Sequence, residues 1–411
     1  MTSNAQLTSV FLPPVKGVFP PGVQLAIIAT PAWTGRIPTY LTWSYQPEFN
    51  AEIIRVGDAT AMSSGGNRIR HFYAKTQPWN CDGTKMLLNF DAARAFVLDG
   101  NTYALLNVID LTGTNLVTDG ISGTCDDAKW SNTKPNVIYS TVGNTLISID
   151  ATTGAHTTLH TFAAYTLVSN GYQEGNQSDD DRYFTIMGKT AGGNYTLAVY
   201  DLWHDSVSSG SFNLTTLGGD VTDIDWFGMS HSGLYVGILY NTLHKFSVFD
   251  NNMTFLRDLW TNNHDHGDFG WDQSGAEVFV ALYEDSTNNY IESWPLSGAP
   301  KTRNLTTQWT GDMHISGRAN KRPGWIYVSS YRLGAGLGFE KEVAAVKLDA
   351  SGTMEHFAHS RNSNTSGTGY ATEACPDRAG ARVIFASDWG VVTGPYYSYV
   401  AANQSYPRRL L

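Results

Sequence analysis

The sequence predicts an all-β protein, a seven-bladed β-propeller with four-stranded antiparallel blades around a central channel. A phrase made of an aromatic or apolar residue, a polar turn and a hydrophobic strand occurs seven times along the 411 residues. Its copies lie about 50 residues apart, a period typical of propeller blades. Helical periodicity is nearly absent, and 40 glycines with many aromatic residues favour short strands joined by tight turns. Two β-sandwiches, the alternative, would not predict one uniform repeat.

The N-terminal part of the chain predicts a lead-in followed by a closing strand. Residues 1–35 are rich in proline and glycine and predict an extended lead-in, and residues 36–411 form a single propeller domain. A propeller usually completes one blade with strands from both ends of the chain, because this removes free sheet edges. We therefore expect residues 52–56, or the strand before them, to pair with the blade that contains residues 383–399.

The seven copies of the phrase define the blades in order. They begin at Trp79, Trp130, Asn176, Phe227, His264, Ala319 and Cys375. The fifth copy has the clearest hairpin pattern, with a turn between Asp272 and Gly275 and a strand over residues 277–283, which are β-branched and aromatic. Outer strands are predicted as well, for example at Thr145–Asp150 and Tyr195–Asp201.

Composition limits the classes of partner. The net charge is −10 and no run of Lys or Arg occurs, which argues against nucleic-acid binding. No apolar run reaches 18 residues, so we expect no membrane segment. Three cysteines, Cys81, Cys125 and Cys375, allow at most one disulfide. We expect a monomer that is secreted or extracellular, although no signal peptide is visible; a cytoplasmic or virion-associated location stays open.

Candidate functional residues precede the repeated turns, where inner strands should converge on one mouth of the channel. They are His71 with Tyr73 and Lys75, then Tyr172, Tyr240, His264 and His266, His314 with Arg318, and Glu373 with Cys375. Imidazole or thiolate groups on consecutive blades are typical of a metal site built across strands. No local motif such as CxxC or HExxH supports it, so satisfied polar residues that bridge blades remain the alternative.

Several phrases carry a resemblance to a known family. They are His71-Phe-Tyr-Ala-Lys, Trp79-Asn-Cys-Asp-Gly, His266-Gly-Asp-Phe-Gly, His314-Ile-Ser-Gly-Arg, Arg322-Pro-Gly-Trp and Phe385-Ala-Ser-Asp-Trp-Gly. Over residues 65–395 the chain resembles the seven-bladed propeller polysaccharide lyases of the ulvan-lyase and oligogalacturonate-lyase types. The phrases are typical of the propeller group more than of one substrate.

The resemblance implies β-elimination on an acidic, uronate-containing polysaccharide, with an ulvan-like polymer as our first expectation. By position, His266, His314 and Cys375 resemble ligands of a divalent metal, and His71, Tyr172, Tyr240 and His264 resemble acid–base residues. The family pattern has a histidine where this chain has Cys375. A thiolate binds zinc better than it binds manganese or calcium, so we expect zinc first and the other two ions as alternatives.

The implied chemistry assigns one more role. The substrate carboxylate must be neutralised before the C5 proton becomes acidic enough to leave, and the guanidinium of Arg318 suits a carboxylate. The alternative is an exposed Arg318 that pairs with Asp312. Two other functions stay open: a non-catalytic propeller that binds glycan or protein, and a glycoside hydrolase in which Glu174 and Glu373 lie about 5 to 9.5 Å apart.

Overall fold

The structure is a computed structural model. It describes residues 16–18, 37–46, 49–63, 68–89, 94–115, 128–171, 175–214, 224–240, 243–260, 264–284, 289–307, 313–330, 341–363, 371–391 and 394–403. Of residues 16–18, 264–265, 284, 307 and 403 it describes the backbone alone. No helix in these ranges has the length and apolar character needed to cross a bilayer.

The described part of the chain forms 31 strands in seven sheets. The N-terminal strands are β1 (Lys16–Val18), β2 (Trp43–Gln46), β3 (Ala51–Arg55) and β4 (Arg68–Ile69). Blade one contains β5 (Lys85–Asn89), β6 (Arg94–Asp99) and β7 (Leu105–Asp110). Blade two contains β8 (Lys129–Trp130), β9 (Val137–Val142), β10 (Thr145–Asp150) and β11 (His156–Thr161). Blade three contains β12 (Leu167–Asn170), β13 (Tyr183–Lys189), β14 (Tyr195–Asp201), β15 (Ser206–Val207) and β16 (Phe212–Asn213).

The remaining four blades follow in chain order. Blade four contains β17 (Ile224–Met229), β18 (Tyr235–Tyr240), β19 (Lys245–Asp250) and β20 (Phe255–Trp260). Blade five contains β21 (His264–Trp271), β22 (Glu277–Glu284), β23 (Asn289–Pro295) and β24 (Thr302–Thr307). Blade six contains β25 (Met313–Ser316), β26 (Trp325–Ser330), β27 (Glu342–Lys347) and β28 (Thr353–His359). Blade seven contains β29 (Cys375–Pro376), β30 (Arg382–Ser387) and β31 (Tyr396–Asn403).

The predicted seven-bladed propeller is confirmed. Within each blade consecutive strands pair antiparallel, and the first strand in sequence is the innermost. In blade one an irregular segment takes the inner position and pairs with β5 through isolated bridges at Arg70–Asn89 and Trp79–Met86. In blade three the fourth position is shared by β15 and β16, which both pair with β14.

The predicted closure is also confirmed. Strand β3 pairs antiparallel with β31, with Ile53 opposite Ala401, and β2 adds to the outer side of β3. Blade seven therefore combines strands from both ends of the sequence. Of the predicted lead-in, β1 is described, and it pairs with the outer strand β28 of blade six.

The repeated phrase is the turn between the first and second strands of each blade. In blade five the carboxylate of Asp272 accepts hydrogen bonds from the backbone N–H groups of Ser274 and Ala276. Gly275 has a φ of +80°, which explains the glycine at this position. The hairpin predicted from the sequence is β21, this turn and β22.

The hydrophobic core lies between neighbouring blades. Phe246 of blade four and Phe279 of blade five pack with ring centroids 4.0 Å apart. Nearer the axis, a Cβ at Gly317 would lie 1.7 Å from the carbonyl oxygen of Phe269, so only glycine lets the inner segments of blades five and six come this close. This packing fixes the inner strands, and with them the side chains that line the channel.

Candidate functional site

The inner segments give the channel two chemically different ends. At the histidine end, where these segments begin, lie Arg70, Tyr73, His266, His314 and Glu373. At the turn end, where they run into the first turns, lie Gln77, Lys129, Gln177, Arg318 and Arg378. Each end draws its side chains from several blades, whereas the sequence analysis expected the candidates at one mouth.

Two imidazoles meet at the histidine end. The rings of His266 on β21 and His314 on β25 stack with centroids 4.7 Å apart, and Tyr73 packs edge-on against His314 at 5.1 Å. His314 is almost fully buried, and burial holds its pKa well below the usual value, with a further contribution from His266 and Lys75. His314 is therefore neutral near pH 7. His266 is only partly buried, so it is the imidazole of the pair that a solute can reach.

The His71 imidazole is also neutral, but both of its ring nitrogens contact residues of blade seven. Burial, helped by the charge of Arg70, holds its pKa well below the usual value. Its Nε2 donates to the carbonyl oxygen of Glu373 at 2.5 Å. Its Nδ1 lies 3.0 Å from Oγ of Ser398, which also accepts the backbone N–H of His71 at 2.8 Å. Both ring nitrogens thus have protein partners, and the imidazole joins blade one to blade seven.

Arg70 forms an ion pair with Glu373 at the same end. Its Nη1 contacts Oε2 of Glu373, and the side chain of Arg70 remains 27% exposed. Glu373 has a φ of +45°, in the left-handed region that few residues other than glycine adopt. A guanidinium carries five N–H donors, so an arginine in this pair can still bind a second acceptor.

Lys75 adds a second positive charge. Its ammonium lies 5.8 Å from the ring centre of Tyr73 and 5.0 Å from that of Trp226, and the residue is 2% exposed. Aromatic faces stabilise a cation in such a position. The inner segment of blade one turns at residues 73–76, with the N–H of Thr76 donating to the carbonyl of Tyr73. Residues 73–76 therefore do not form an extended strand.

Cys375 is a buried thiol in this structure. It is 0% exposed, Oγ of Ser316 donates to its Sγ at 3.5 Å, and its own S–H points to the carbonyl of Pro376 at 3.7 Å. Burial raises the pKa of the thiol to about 12. Without a bound cation the group is therefore a neutral thiol.

The described side chains do not fit a complete metal centre. Among them no group of three or more His, Cys, Asp or Glu residues lies close enough to hold an ion. His266 and His314 come together, as predicted, whereas Cys375 contacts Ser316 and Pro376. The expectation of zinc is not supported.

Tyr240 lies away from the channel. It ends β18, the second strand of blade four, and packs in the hydrophobic cluster between blades three and four, with Phe212 at 6.4 Å and the ammonium of Lys245 at 5.6 Å. Burial raises the pKa of its phenol to about 12. The structure does not bring Tyr240 together with His266 or His314, and its acid–base role remains a prediction.

Arg318 is buried, and its partner among the described side chains is a carboxylate of another blade. Its Nε and Nη2 donate to the two carboxylate oxygens of Asp268, at 2.9 and 2.6 Å, and Asp268 is 0% exposed. The carboxylate also accepts the N–H of Gly317. The bidentate geometry expected for a substrate carboxylate is thus used by a carboxylate of blade five. Tyr172, Glu174, Asp312 and the side chain of His264 lie outside the described residues.

Sequence reasoning missed Arg70, and it treated Tyr73 and Lys75 only as neighbours of His71. The signal for all three was the basic and aromatic run from Arg68 to Lys75. Nothing in the local sequence identified Arg70 as the residue that reaches Glu373, because this contact joins residues 303 positions apart.

Among solved structures, the chain is similar to proteins with a propeller fold. An oligogalacturonate lyase from Vibrio parahaemolyticus is 12% identical, with a TM-score of 0.64, 89% of this chain and 97% of that chain being covered. An oligogalacturonate lyase in complex with manganese is 14% identical, with a TM-score of 0.62, 89% of this chain and 96% of that chain being covered. The WD40 domain of Neurospora crassa Pan2 is 10% identical, with a TM-score of 0.51 and coverage of 81% and 90%.

Sequence comparison does not assign the chain to a family. Neither models of protein families nor curated protein sequences give a match. At the identities above, likeness to the solved structures establishes the shared propeller fold. It agrees with the expected propeller of the oligogalacturonate lyases and does not single out the ulvan-lyase type.

Proposed function

We propose that the protein is a polysaccharide lyase that cleaves a uronate-containing acidic polysaccharide by β-elimination at the histidine end of its channel. One observation carries the proposal. A partly buried imidazole (His266), a phenol (Tyr73) and two cations (Arg70 and Lys75) meet at one mouth of a propeller whose fold is similar to two oligogalacturonate lyases over 89% of the chain.

The chemistry divides among these groups. Arg70, supported by the charge of Lys75, binds the uronate carboxylate and stabilises the enolate-like charge that develops on it. His266 takes the C5 proton, since an imidazole can serve as a base near neutral pH. The C4–O bond then breaks as the C4–C5 double bond forms, and Tyr73 protonates the departing oxygen. The products are an unsaturated uronate and a new chain end.

The stack of His266 on His314 supports this division. The lowered pKa of His314 leaves that ring neutral, so it places no positive charge against the base. The roles that the family resemblance implies for His71, Tyr172, Tyr240, His264 and Arg318 belong to the same proposal, and the same assay tests them.

Polymers of galacturonate are the first substrates to test, because both similar lyases are named for oligogalacturonate. Ulvan, alginate and glycosaminoglycans complete the panel. We propose that the protein acts as a monomer outside the cell, where such polymers occur. A lyase gives a product with the ultraviolet absorbance of a conjugated double bond and takes up no oxygen from labelled water, whereas a hydrolase incorporates one oxygen atom.

Substitutions at the histidine end separate base from carboxylate binder. His266→Ala should lower kcat by about 10²- to 10⁴-fold with little change in KM. Arg70→Ala should raise KM and lower kcat, and Arg70→Lys should restore only part of the loss because one ammonium cannot reproduce a two-point contact. Arg182→Ala, in the turn before β13 where Arg182 pairs with Asp201, is the control. Unchanged turnover in both His266→Ala and Arg70→Ala would refute this site.

A divalent metal remains a prediction that no step above requires. It rests on the family resemblance and on the manganese bound to one similar lyase. Metal analysis of purified protein should find about one ion per chain if His266, His314 and Cys375 share it. Cys375→Ser should then lower both the metal content and the thermal midpoint. Equal metal content in the variant would leave Cys375 as the buried thiol described above.

A non-catalytic glycan- or protein-binding propeller is the second candidate. The similarity to a WD40 domain favours it, because it shows the same fold outside the lyases. This candidate predicts saturable binding of a polysaccharide or protein with no unsaturated product, and binding should then survive His266→Ala.

A further inference from the structure

The turn end of the channel contains a small polar cavity of about 20 Å³, and His266, Tyr73, Arg70 and Lys75 are not among its lining residues. Residues from six of the seven blades line it, among them Lys129, Gln177, Asp179, His231, Arg318 and Arg378. Four of these are basic and one is acidic. Lys129, His231, Arg318 and Arg378 are each at most 7% exposed, so their charges lie where water screens them poorly.

Two of the four basic residues are neutralised by carboxylates. Arg318 is bound by Asp268 through two hydrogen bonds. His231 lies 3.0 Å from Asp179 through Nδ1 and 3.2 Å from the carbonyl of Phe269 through Nε2. Both ring nitrogens therefore have an oxygen partner within the protein. Although burial opposes it, the contact with His231 lowers the pKa of Asp179 to about 2.

Arg378 differs from the other two. Its Nη2 donates to Oδ1 of Asn132 at 2.8 Å, and no carboxylate in the described part of the chain lies within ion-pair distance of it. Its Nε is buried and has no hydrogen-bond partner among the described atoms. Asp179 and Asp181 act on Arg378 from farther away. Asp179 contacts His231 and Asn320, and the oxygens of Asp181 accept hydrogen bonds from Ser131, Asn132 and Thr133.

A buried guanidinium with an unused donor is costly unless an acceptor reaches it. Burial also lowers the pKa of Arg378, which indicates the same lack of compensation. A ligand oxyanion would supply both the missing acceptor and the missing charge.

The size of the cavity limits which oxyanion fits. A water needs about 10 to 15 Å³ of such volume, so 20 Å³ holds about two oxygen-sized centres. This matches the two oxygens of a carboxylate whose remaining ligand atoms stay outside the cavity, whereas a phosphate or sulfate brings four oxygens. Oε1 of Gln177 and Oδ1 of Asn320 are also buried without partners and can accept from a hydroxyl on the same ligand.

We propose that the turn end is a second binding site, specific for a hydroxycarboxylate that places its carboxylate on Arg378 and its hydroxyl against Gln177 or Asn320. Both a free sugar acid and the chain end of a uronate polymer present this chemistry. The site does not depend on the lyase proposal, because its residues lie at the other end of the inner segments.

Calorimetry with galacturonate, galactose, acetate and phosphate tests the site. We expect galacturonate to bind, acetate to bind more weakly, and galactose and phosphate not to bind. Arg378→Gln should weaken galacturonate binding by about 10- to 100-fold, the loss expected for one charge-assisted contact. Lys129→Met, a second variant of the cavity, should weaken it as well and keeps the test valid if Arg378→Gln does not fold. Arg182→Gln is the control and should bind as the unsubstituted protein does.

The Arg70→Ala variant shows which end of the channel binds galacturonate. If that variant loses galacturonate and Arg378→Gln retains it, the acid binds at the histidine end and the proposal is wrong. Absence of galacturonate binding to the unsubstituted protein would overturn it too, even if the protein cleaves a polymer. Binding of oligogalacturonate with the same dependence on Arg378 would identify a polymer end as the ligand, and binding of the monomer alone would identify a free acid.

Discussion

At the scale of single residues, the pairing of Arg318 with Asp268 decides what Arg318 can do. Two charges that bond each other in a buried position are already satisfied, and a substrate carboxylate would have to displace Asp268 to use the same fork. Asp268 would then be left buried and unpaired, at a cost of several kcal/mol. Arg318 therefore serves first to hold blade six against blade five.

This pair makes a prediction about stability. Arg318→Met should lower the free energy of unfolding by about 3 to 5 kcal/mol, because it leaves a buried unpaired carboxylate. The double variant Asp268→Leu with Arg318→Met should lose less than the sum of the two single changes. Lys347→Met, which breaks the partly exposed pair with Asp349, should cost at most about 1 kcal/mol. Denaturant unfolding of Arg318→Met, Asp268→Leu, the double variant and Lys347→Met measures these differences.

Other variants at position 318 test the role that the resemblance implies. If Arg318 neutralises the substrate, Arg318→Ala that is still folded at the assay temperature should show a raised KM and a lowered kcat, and Arg318→Lys should recover part of the loss. A folded variant with unchanged kinetic constants would restrict Arg318 to structure.

The contrast between Arg318 and Tyr240 also shows what a sequence can say about a residue. Both precede or follow recognisable strands, yet the partner of Arg318 is 50 positions away on another blade, and Tyr240 lies on a second strand, in the core between blades. Such contacts depend on how blades pack, which the local pattern does not encode. The clustering of His266 with His314 was predictable because both lie on inner strands, whose position the repeat defines.

At the scale of elements, the turns and strands could be predicted from the local sequence. Asp272 and Gly275 predict their turn because a carboxylate that caps backbone N–H groups and a glycine with positive φ are what the turn requires. The inner segment of blade one was harder to predict, because its turn at residues 73–76 depends on contacts with other blades.

The inner segments carry the two histidines whose burial makes folding depend on pH. In the folded protein the pKa values of His71 and His314 are well below 6.5, whereas in the unfolded chain they return to about 6.5. The unfolded state therefore binds more protons below about pH 6.5, and stability should fall as the pH falls through this range. Each histidine contributes a slope of about 1.4 kcal/mol per pH unit.

Denaturant unfolding at pH 7, 6 and 5 measures this slope. His71→Asn and His314→Asn should each reduce it by about one histidine's share. His156→Asn, an exposed residue on β11, is the matched control and should leave the slope unchanged. An equal slope in all three variants would mean that the pH dependence arises elsewhere.

At the scale of the whole molecule, seven blades make a ring only if the first and last are joined. Strand β3 performs this closure, since it pairs with β31 on one side and with β2 on the other. The largest hydrophobic cluster, which includes Ile53, Trp79, Tyr327 and Phe385, spans blades six, seven and one and so depends on the same joint. The channel keeps its two distinct ends only while this ring stays closed.

A pair of proline substitutions tests the closure. Ile53 in β3 is paired with both Ser44 in β2 and Ala401 in β31, whereas Ser44 lies on the outer strand. Ile53→Pro should remove ladder hydrogen bonding within blade seven and cost at least about 3 kcal/mol, and Ser44→Pro should cost less because edge positions tolerate proline. Ile53→Ala isolates the loss of the buried side chain, which is 0% exposed. Denaturant unfolding and limited proteolysis of the four proteins should place Ile53→Pro as the least stable, with cleavage first in blade seven. If Ser44→Pro proves as damaging as Ile53→Pro, closure depends on the outer edge of the blade and not on the joint between β3 and β31.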